Sequence, residues 1–291
     1  MARTLVEVEG CNGSWFTISG VGLGEQGVWL GTDVEGIYDA PVRTIYASHA
    51  SQIGSTYYAK RNLQRDIVFG VAIGNTESRS WQENDSEWRK AWSYSEDTKL
   101  WITTEDSRRF LKLRISEQPQ FTPEHDPNMT KVEKVVMTCV AADPWWYEEP
   151  VTDSFVATGV SSSGMVTVSN PTDQEIWLEW VLQGPGRWVI PDYSWGDNRF
   201  RRAEEDKYRK ISTPRANPNQ VFWINTDPFA DQLRDLNGSQ VWSLMNGVTF
   251  LYPIPPWTPD TDIPVSVTEA AAGVGLQVRC PRNWSRPWGL Q

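Results

Sequence analysis

Over its first 145 residues the chain alternates. Residues 4–8, 15–18, 65–73, 99–104 and 109–115 read as short runs of apolar positions, often with a period of two, and clusters of Gly, Asp, Ser and Asn separate them. Such punctuation predicts strands and turns. Leu100, Ile102 and Thr104 alternate with Trp101 and Thr103, and after Glu105-Asp106-Ser107 the chain resumes as Phe110 to Ile115. This pair predicts a hairpin whose strands each keep one wet face. One segment departs from the pattern. From Asn84 to about Tyr94, Trp88, Ala91 and Trp92 fall at i, i+3 and i+4, and Asn84 with Glu87 three residues on predicts an N-terminal cap. A single amphipathic helix against the first sheet is expected. A last strand over 131–142 leads into 143–150, where two prolines and a cluster of acids end the pattern. The expected domains are 1–148 and 149–291.

The second half reads as a sandwich of two antiparallel sheets. Strands are expected over 164–169, 175–183 and 187–191, separated by Asn170-Pro171-Thr172-Asp173 and Gly184-Pro185-Gly186. In the middle strand Ile176, Leu178, Trp180 and Leu182 point one way and Trp177, Glu179 and Val181 the other. Segment 197–215 carries seven basic residues around Glu204-Glu205-Asp206, which predicts a solvated loop or hairpin arm more readily than an anion site. Asp227-Pro228 followed by Phe229, Leu233, Leu236 and then Asn237-Gly238 predicts a short helix or helical turn.

Composition narrows the function. The 291 residues carry a formal charge of -10, shared evenly between the halves, so no basic half or tail is built to grip nucleic acid or an anionic membrane. The longest nearly apolar run, 135–142, is far too short to span a bilayer, and the N-terminus lacks a signal-peptide hydrophobic region. A soluble chain made in a cytoplasm, without membrane insertion, is expected. Cys11, Cys139 and Cys280 are far apart and odd in number, which points to free thiols rather than disulfides or a CxxC motif. With only His49 and His125, a zinc site or a histidine relay has little to be built from.

Several motifs imitate chemistry. Gly22 to Gly27 matches GxGxxG, yet Val28-Trp29-Leu30 follows with no helical period, so a glycine-rich loop is expected and not a pyrophosphate site. Five Asn-X-Ser/Thr strings carry no meaning without a secretory signal. Glu179 with Asp192 would serve as a glycosidase acid and base only if held about 5 to 9.5 Å apart, and among 37 acids such pairs arise by chance. The strong signal is tryptophan. There are 17, six before residue 145 and eleven from there on. Some belong to the cores; the rest suit either sugar stacking or protein interfaces.

The order of segments resembles a known family. Tyr38-Asp39-Ala40-Pro41-Val42, Arg65 to Val71, the helix with Trp88 and Trp92, Leu100-Trp101-Ile102, Arg108 to Leu111 and Ala141 to Tyr147 follow one another as in the N-terminal domain of the distal tail (Dit) proteins of long-tailed phages. Asn170-Pro171, Gly184-Pro185-Gly186, the 221–225 strand, Met245-Asn246-Gly247 and Tyr252 to Trp257 resemble the galectin-like C-terminal domain of minor tail proteins from phages of actinobacteria. The resemblance implies a mainly β chain: a tail-tube-like β-sandwich or barrel with one packed α-helix, then a galectin-like β-sandwich. It also implies a virion protein at the distal end of the tail, with no catalytic residues, cofactor or metal. In the family six N-terminal domains form a ring continuing the tail tube, and the C-terminal sandwiches project outward. The implied partners are further copies of the chain as a hexamer, the tail tube protein and the tip hub or tail-associated protein, with the tape measure and receptor-binding proteins as further candidates. DNA only passes through the ring. The polar arm 43–62 is expected to reach a neighbouring protomer. Tyr46, Tyr57 and Tyr58 on that arm, Trp145 and Trp146 at the junction, and Trp284 and Trp288 near the C-terminus are the expected interface aromatics. The charged 197–215 segment is not something the family predicts. Two other readings stand beside this one: a carbohydrate-binding module with exposed Trp residues, and a glycan-degrading enzyme.

Overall fold

The computed structural model describes residues 4–121, 123, 125–236, 238, 239 and 241–291. The chain is mainly β and falls into two compact units, 1–148 with 284–290, and 149–283 with 291.

In the first unit the strands are β1 (Leu5–Glu9), β2 (Trp15–Ser19), β3 (Val28–Glu35), β4 (Val42–Ala47), β5 (Thr56–Asn62), β6 (Arg65–Gly74), β7 (Thr98–Thr103), β8 (Arg108–Ile115), β9 (Gln120–Phe121) and β10 (Val132–Ala141). All the pairings are antiparallel: β2 with β1, β1 with β7, β7 with β8, β8 with β10, β10 with β6, and β6 with β3. In β6 the alternation is plain, with Ile67, Phe69, Val71 and Ile73 buried and Asp66, Val68, Gly70 and Ala72 turned away from the core. The 99–115 hairpin forms with Trp101 opposite Phe110. Its outer face is drier than expected. Trp101 is buried there under Trp15 and Phe110, with the Arg108 guanidinium 4.5 Å from its ring, and its indole N–H donates to Glu9.

Helix α1 (Trp81–Lys90) begins one turn earlier than its sequence suggests. Ser80 is the N-cap and forms a reciprocal capping box with Glu83. Asn84, the expected cap, is inside the helix and buried, donating from Nδ2 to the carbonyl of Gly74 at 2.8 Å. Gly27 is tied to this contact: its φ is +72°, and a Cβ there would come 2.2 Å from Asn84 Nδ2. Trp88 and, just past the helix, Trp92 pack edge to face at 5.4 Å and fill the core above Phe16 and Phe69. Segment 20–27 is a run of turns between β2 and β3, and a strand follows it, so the GxGxxG string faces no helix N-terminus. A second short helix, α2 (Pro127–Thr130), precedes β10.

The strand β11 (Trp146–Val156) leads into the second unit, which adds β12 (Ser162–Asn170), β13 (Glu179–Gln183), β14 (Arg187–Pro191), β15 (Lys210–Ser212), β16 (Val221–Asn225), β17 (Leu233–Asp235), β18 (Thr258–Thr268) and β19 (Gly275–Trp284). One sheet runs β17-β16-β13-β19-β11 and the other β12-β18-β14-β15. Trp180, Leu182, Phe222 and Ile224 from the first and Val166, Trp188, Ile190, Val265 and Val267 from the second belong to one core. This is the sandwich expected.

Three expectations here are corrected. The ladder of β13 starts only at Glu179; Ile176 makes a single bridge to Ile254, although the burial of Ile176, Leu178, Trp180 and Leu182 alternates as expected. Of the short helix or helical turn expected over 227–236, only a single turn at 227–230 forms. Asp227 caps one turn by accepting from Phe229 N–H, after which β17 joins the edge of β16 and carries Leu233 into the core. Buried Gln232, bonded to Thr226 and Phe250 main-chain groups, pins the chain in this course, so tertiary contacts override local propensity. Asn237 lies outside the described residues. Third, 197–215 is not a freely solvated arm. Asp206 is buried and accepts from the Tyr252 hydroxyl and from Arg202, while Arg209 pairs with buried Asp192 and donates to Thr249 O.

Candidate interaction surfaces

Asp192, one of the two acids that imitate a glycosidase pair, is engaged in structural contacts. Asp192 spends its carboxylate on Arg209 and on the N–H groups of Leu251 and Tyr252, all inside the second unit. Cys11, Cys139 and Cys280 are free thiols; burial pushes the Cys139 thiol up to about 12, so it is inert rather than nucleophilic. Among the described residues no group of three or more His, Cys, Asp or Glu is placed to hold a metal ion. No helix among them is long and apolar enough to cross a membrane.

The tryptophans divide differently from expectation. Trp146 and Trp284 are fully buried within the first unit, so neither is available to a neighbour. The Trp146 indole N–H donates to Ile37 O, and the Trp284 indole N–H donates to Glu148. Trp145 and Trp288 are half-buried, Trp288 against Tyr38 at 5.3 Å. The exposed tryptophans are Trp15 in the first unit and Trp223, Trp242 and Trp257 in the second.

Around Trp284 the C-terminal segment is stitched into the first unit by two buried arginines. Arg65 donates to the carbonyls of Pro144, Gly36, Ile37 and Ser285, four acceptors from three distant parts of the chain. Burial pulls its pKa down to about 10, partly offset by Asp39, which leaves it a full cation at neutral pH. Arg109 donates to the carbonyls of Arg286 and Gly289. Two invariably charged side chains held mostly by main-chain oxygens form a clamp, because a guanidinium offers five donors in a fixed fork.

The first exposed surface is the hairpin β4–β5, a two-stranded sheet of its own. Tyr46, Tyr57 and Tyr58 are 56%, 55% and 77% exposed, and Ile53 at its tip is fully exposed. Tyr46 stands opposite Tyr57 with ring centroids 6.0 Å apart. The three tyrosines expected at an interface thus all lie in water on this hairpin, two of them paired.

The second is a half-open cleft of about 490 Å³ in the second unit, walled by Phe200, Trp242, Leu233 and Phe250 with Asp231 and Gln232 beside them. Phe229, between two residues of its lining, is almost fully exposed, and Leu236, Leu244 and Val248 are exposed on the same stretch of chain. Such a concentration of exposed apolar side chains marks a place for a ligand or a partner. Its polar side groups are mostly spent: Gln232 is saturated by main-chain partners and Asp231 pairs with Arg234. No motif announced this cleft, since its walls come from residues 200, 228–233 and 242–251.

Comparison with known proteins bears on kinship and fold. No family model matches the chain. The minor tail protein Gp27 of Mycobacterium phage L5 is 35% identical over 345 aligned positions, covering 99% of both chains, and Gp27 of Mycobacterium phage D29 is 34% identical with the same coverage. Among solved structures, the Dit protein (gp 19.1) of phage SPP1, described as a paradigm of the hub adsorption apparatus in phages infecting Gram-positive hosts, superposes with a TM-score of 0.60 at 10% identity, covering 96% of this chain and 98% of that one. A chain of the phage P2 baseplate in its activated conformation gives 0.56 at 11% identity, with 97% and 98% covered. At that identity the structural likeness speaks for the fold, the Dit fold, along nearly the whole chain. Full-length identity of 35% speaks for kinship: the chain belongs to the family of phage minor tail proteins that includes Gp27 of the mycobacteriophages L5 and D29.

Proposed function

We propose that this chain is a structural component of the phage tail tip, that six copies form a ring joining the tail tube to the tip hub, and that the second unit is a platform on which receptor-binding or other tip proteins dock. Kinship with minor tail proteins and the likeness to a Dit protein along the whole chain support a structural role in the tail. The observation that carries the ring is the hairpin β4–β5. It is a two-stranded sheet with its aromatic side chains in water, and such a hairpin is marginal by itself. A neighbouring protomer supplies the surface it lacks.

In this reading the tail tube protein and the hub or tail-associated protein contact the ring faces, the tape measure protein occupies the ring before ejection, and DNA passes through. The first unit bears more acids than bases, which suits a conduit that must not hold the genome. Negative-stain images of the purified chain, with and without tube protein, test the reading. Rings of six that cap tubes are expected; a chain that stays monomeric with and without tube protein rejects it. Deletion of 43–62 should leave a folded monomer, and an unchanged oligomer in light scattering rejects the role of the arm.

A second reading, carbohydrate recognition at the host envelope, is favoured by one feature, the cleft with Trp242 and Phe200 on its walls. Aromatic faces suit the C–H side of a sugar, although the saturated polar groups leave few partners for hydroxyls. Saturable glycan binding lost in Trp242→Ala would establish it, alongside the structural role rather than against it.

A further inference from the structure

The register of the β4–β5 hairpin sets Arg43 directly opposite Arg61, with Lys60 one step along, opposite Thr44. Like charges directly opposite on one face destabilise a strand pair, and this pair already lacks a buried side to compensate. Nothing local relieves the repulsion. Residues 42–62 contain no Asp or Glu, and among the described residues no ion pair involves Arg43, Lys60 or Arg61. The first unit as a whole holds 16 Lys and Arg against 21 Asp and Glu, so outside the hairpin its body holds 13 against 21. A cationic, acid-free hairpin thus stands on a strongly acidic body.

We infer that the hairpin docks on the acidic body of a second copy of this chain, where Arg43 and Arg61 engage carboxylates. The inference rests on the ring reading above and names what recognises the neighbour. The opposed arginines form a fork for carboxylate oxygens, each guanidinium being able to bind one in a bidentate way. A contact between one patch and a different patch of an identical copy is head-to-tail, the kind that closes into rings. Tyr46 and Tyr57, farther along the ladder, add the aromatic area typical of the centre of an interface. Three cations on a body with this excess of acids are poorly suited to duplex DNA, because the net negative charge of the body repels a polyanion.

The test uses the full chain with Arg43→Glu and Arg61→Glu together, followed by analytical ultracentrifugation and negative-stain imaging. Assembly should weaken at least tenfold while the melting temperature of the monomer holds. Arg61→Glu alone places a carboxylate opposite Arg43, so it should leave the monomer at least as stable and still weaken assembly; these opposite directions separate recognition from folding. If the double variant misfolds, Arg43→Gln with Arg61→Gln carries the same test. Rings that persist at wild-type affinity in these variants overturn the inference and leave the ring reading standing. A wild-type chain that stays monomeric overturns both. Retardation of duplex DNA by the wild-type chain, lost in the double variant, would assign the arginines to nucleic acid and also overturn it.

Discussion

The Arg109 guanidinium lies 3.8 Å from the centre of the Trp284 indole ring, and both side chains are buried. Residues 177 and 180 positions farther along the chain, Arg286 and Gly289, supply the carbonyls that Arg109 binds. The last turn of chain is therefore a structural part of the first unit. Trp284→Ala removes a buried aromatic, its cation–π contact and the indole bond to Glu148, and should cost about 3 to 5 kcal/mol. Urea unfolding followed by circular dichroism checks it, and a loss below 1 kcal/mol would show that the clamp is dispensable.

Gly36 feeds the same clamp from the other side. Its carbonyl accepts from Arg65, its φ is +80°, and a Cβ would sit 1.9 Å from the carbonyl oxygen of Asp66. Gly36→Ala cannot relax by moving a flexible side chain, because the obstacle is backbone. The substitution should cost about 2 kcal/mol or more through strain and a displaced Arg65 acceptor. A melting temperature within a degree of wild type would contradict this.

Glu133 gives the first unit a pH dependence. It is buried on β10 beneath α1, near Asp85, which itself pairs with Arg89. Burial first, then the hydrogen bond and the negative charge of Asp85, push its pKa up to about 8, with Arg89 acting the other way. The native state thus binds more protons than the unfolded state between about 4.5 and 8, so stability falls as pH rises across that window. Glu133→Gln keeps the shape without the charge. Its advantage in melting temperature over wild type should grow from pH 5 to pH 9; parallel pH profiles for the two proteins would remove Glu133 as the cause.

How much of this was legible depends on what each residue responds to. Ile67, Phe69, Val71 and Ile73 bury one face of a single strand, and a period of two records that directly. Trp88 and Trp92 betrayed the helix in the same way, but its cap slipped by a turn because Asn84 is recruited by Gly74, a contact that no local rule contains. The hairpin 42–62 buries almost nothing, so it left no hydrophobic period; its clue was the lack of acids, visible only once Arg43 and Arg61 stood opposite each other. Trp146 and Trp284 looked like interface residues because their partners, Ile37 and Glu148, lie 109 and 136 positions away. The cleft around Trp242 stayed hidden for a like reason, its walls being assembled from separate segments.

The charged segment 197–215 should prove to be a folded part of the second unit rather than a tether. Asp192 is its anchor: 4% exposed, it accepts from Leu251 N–H at 3.0 Å and Tyr252 N–H at 3.2 Å and pairs with Arg209, which in turn holds Thr249 O. Removing one partner from a buried pair leaves the other charge without compensation, so Asp192→Ala should cost about 3 to 5 kcal/mol. The loss should begin locally. Arg209 lies in the segment beside its other buried charge, Asp206, which accepts from the Tyr252 hydroxyl; burial first, then that hydrogen bond and charge, raise the pKa of the phenol to about 12. With Arg209 released, cleavage by trypsin after Arg199, Arg201 or Arg202 should speed up before the sandwich unfolds, because an opened loop exposes its backbone first. Limited proteolysis with mass mapping of the fragments reads this out, and cleavage spread evenly along the unit would mean that the segment has no separate stability to lose.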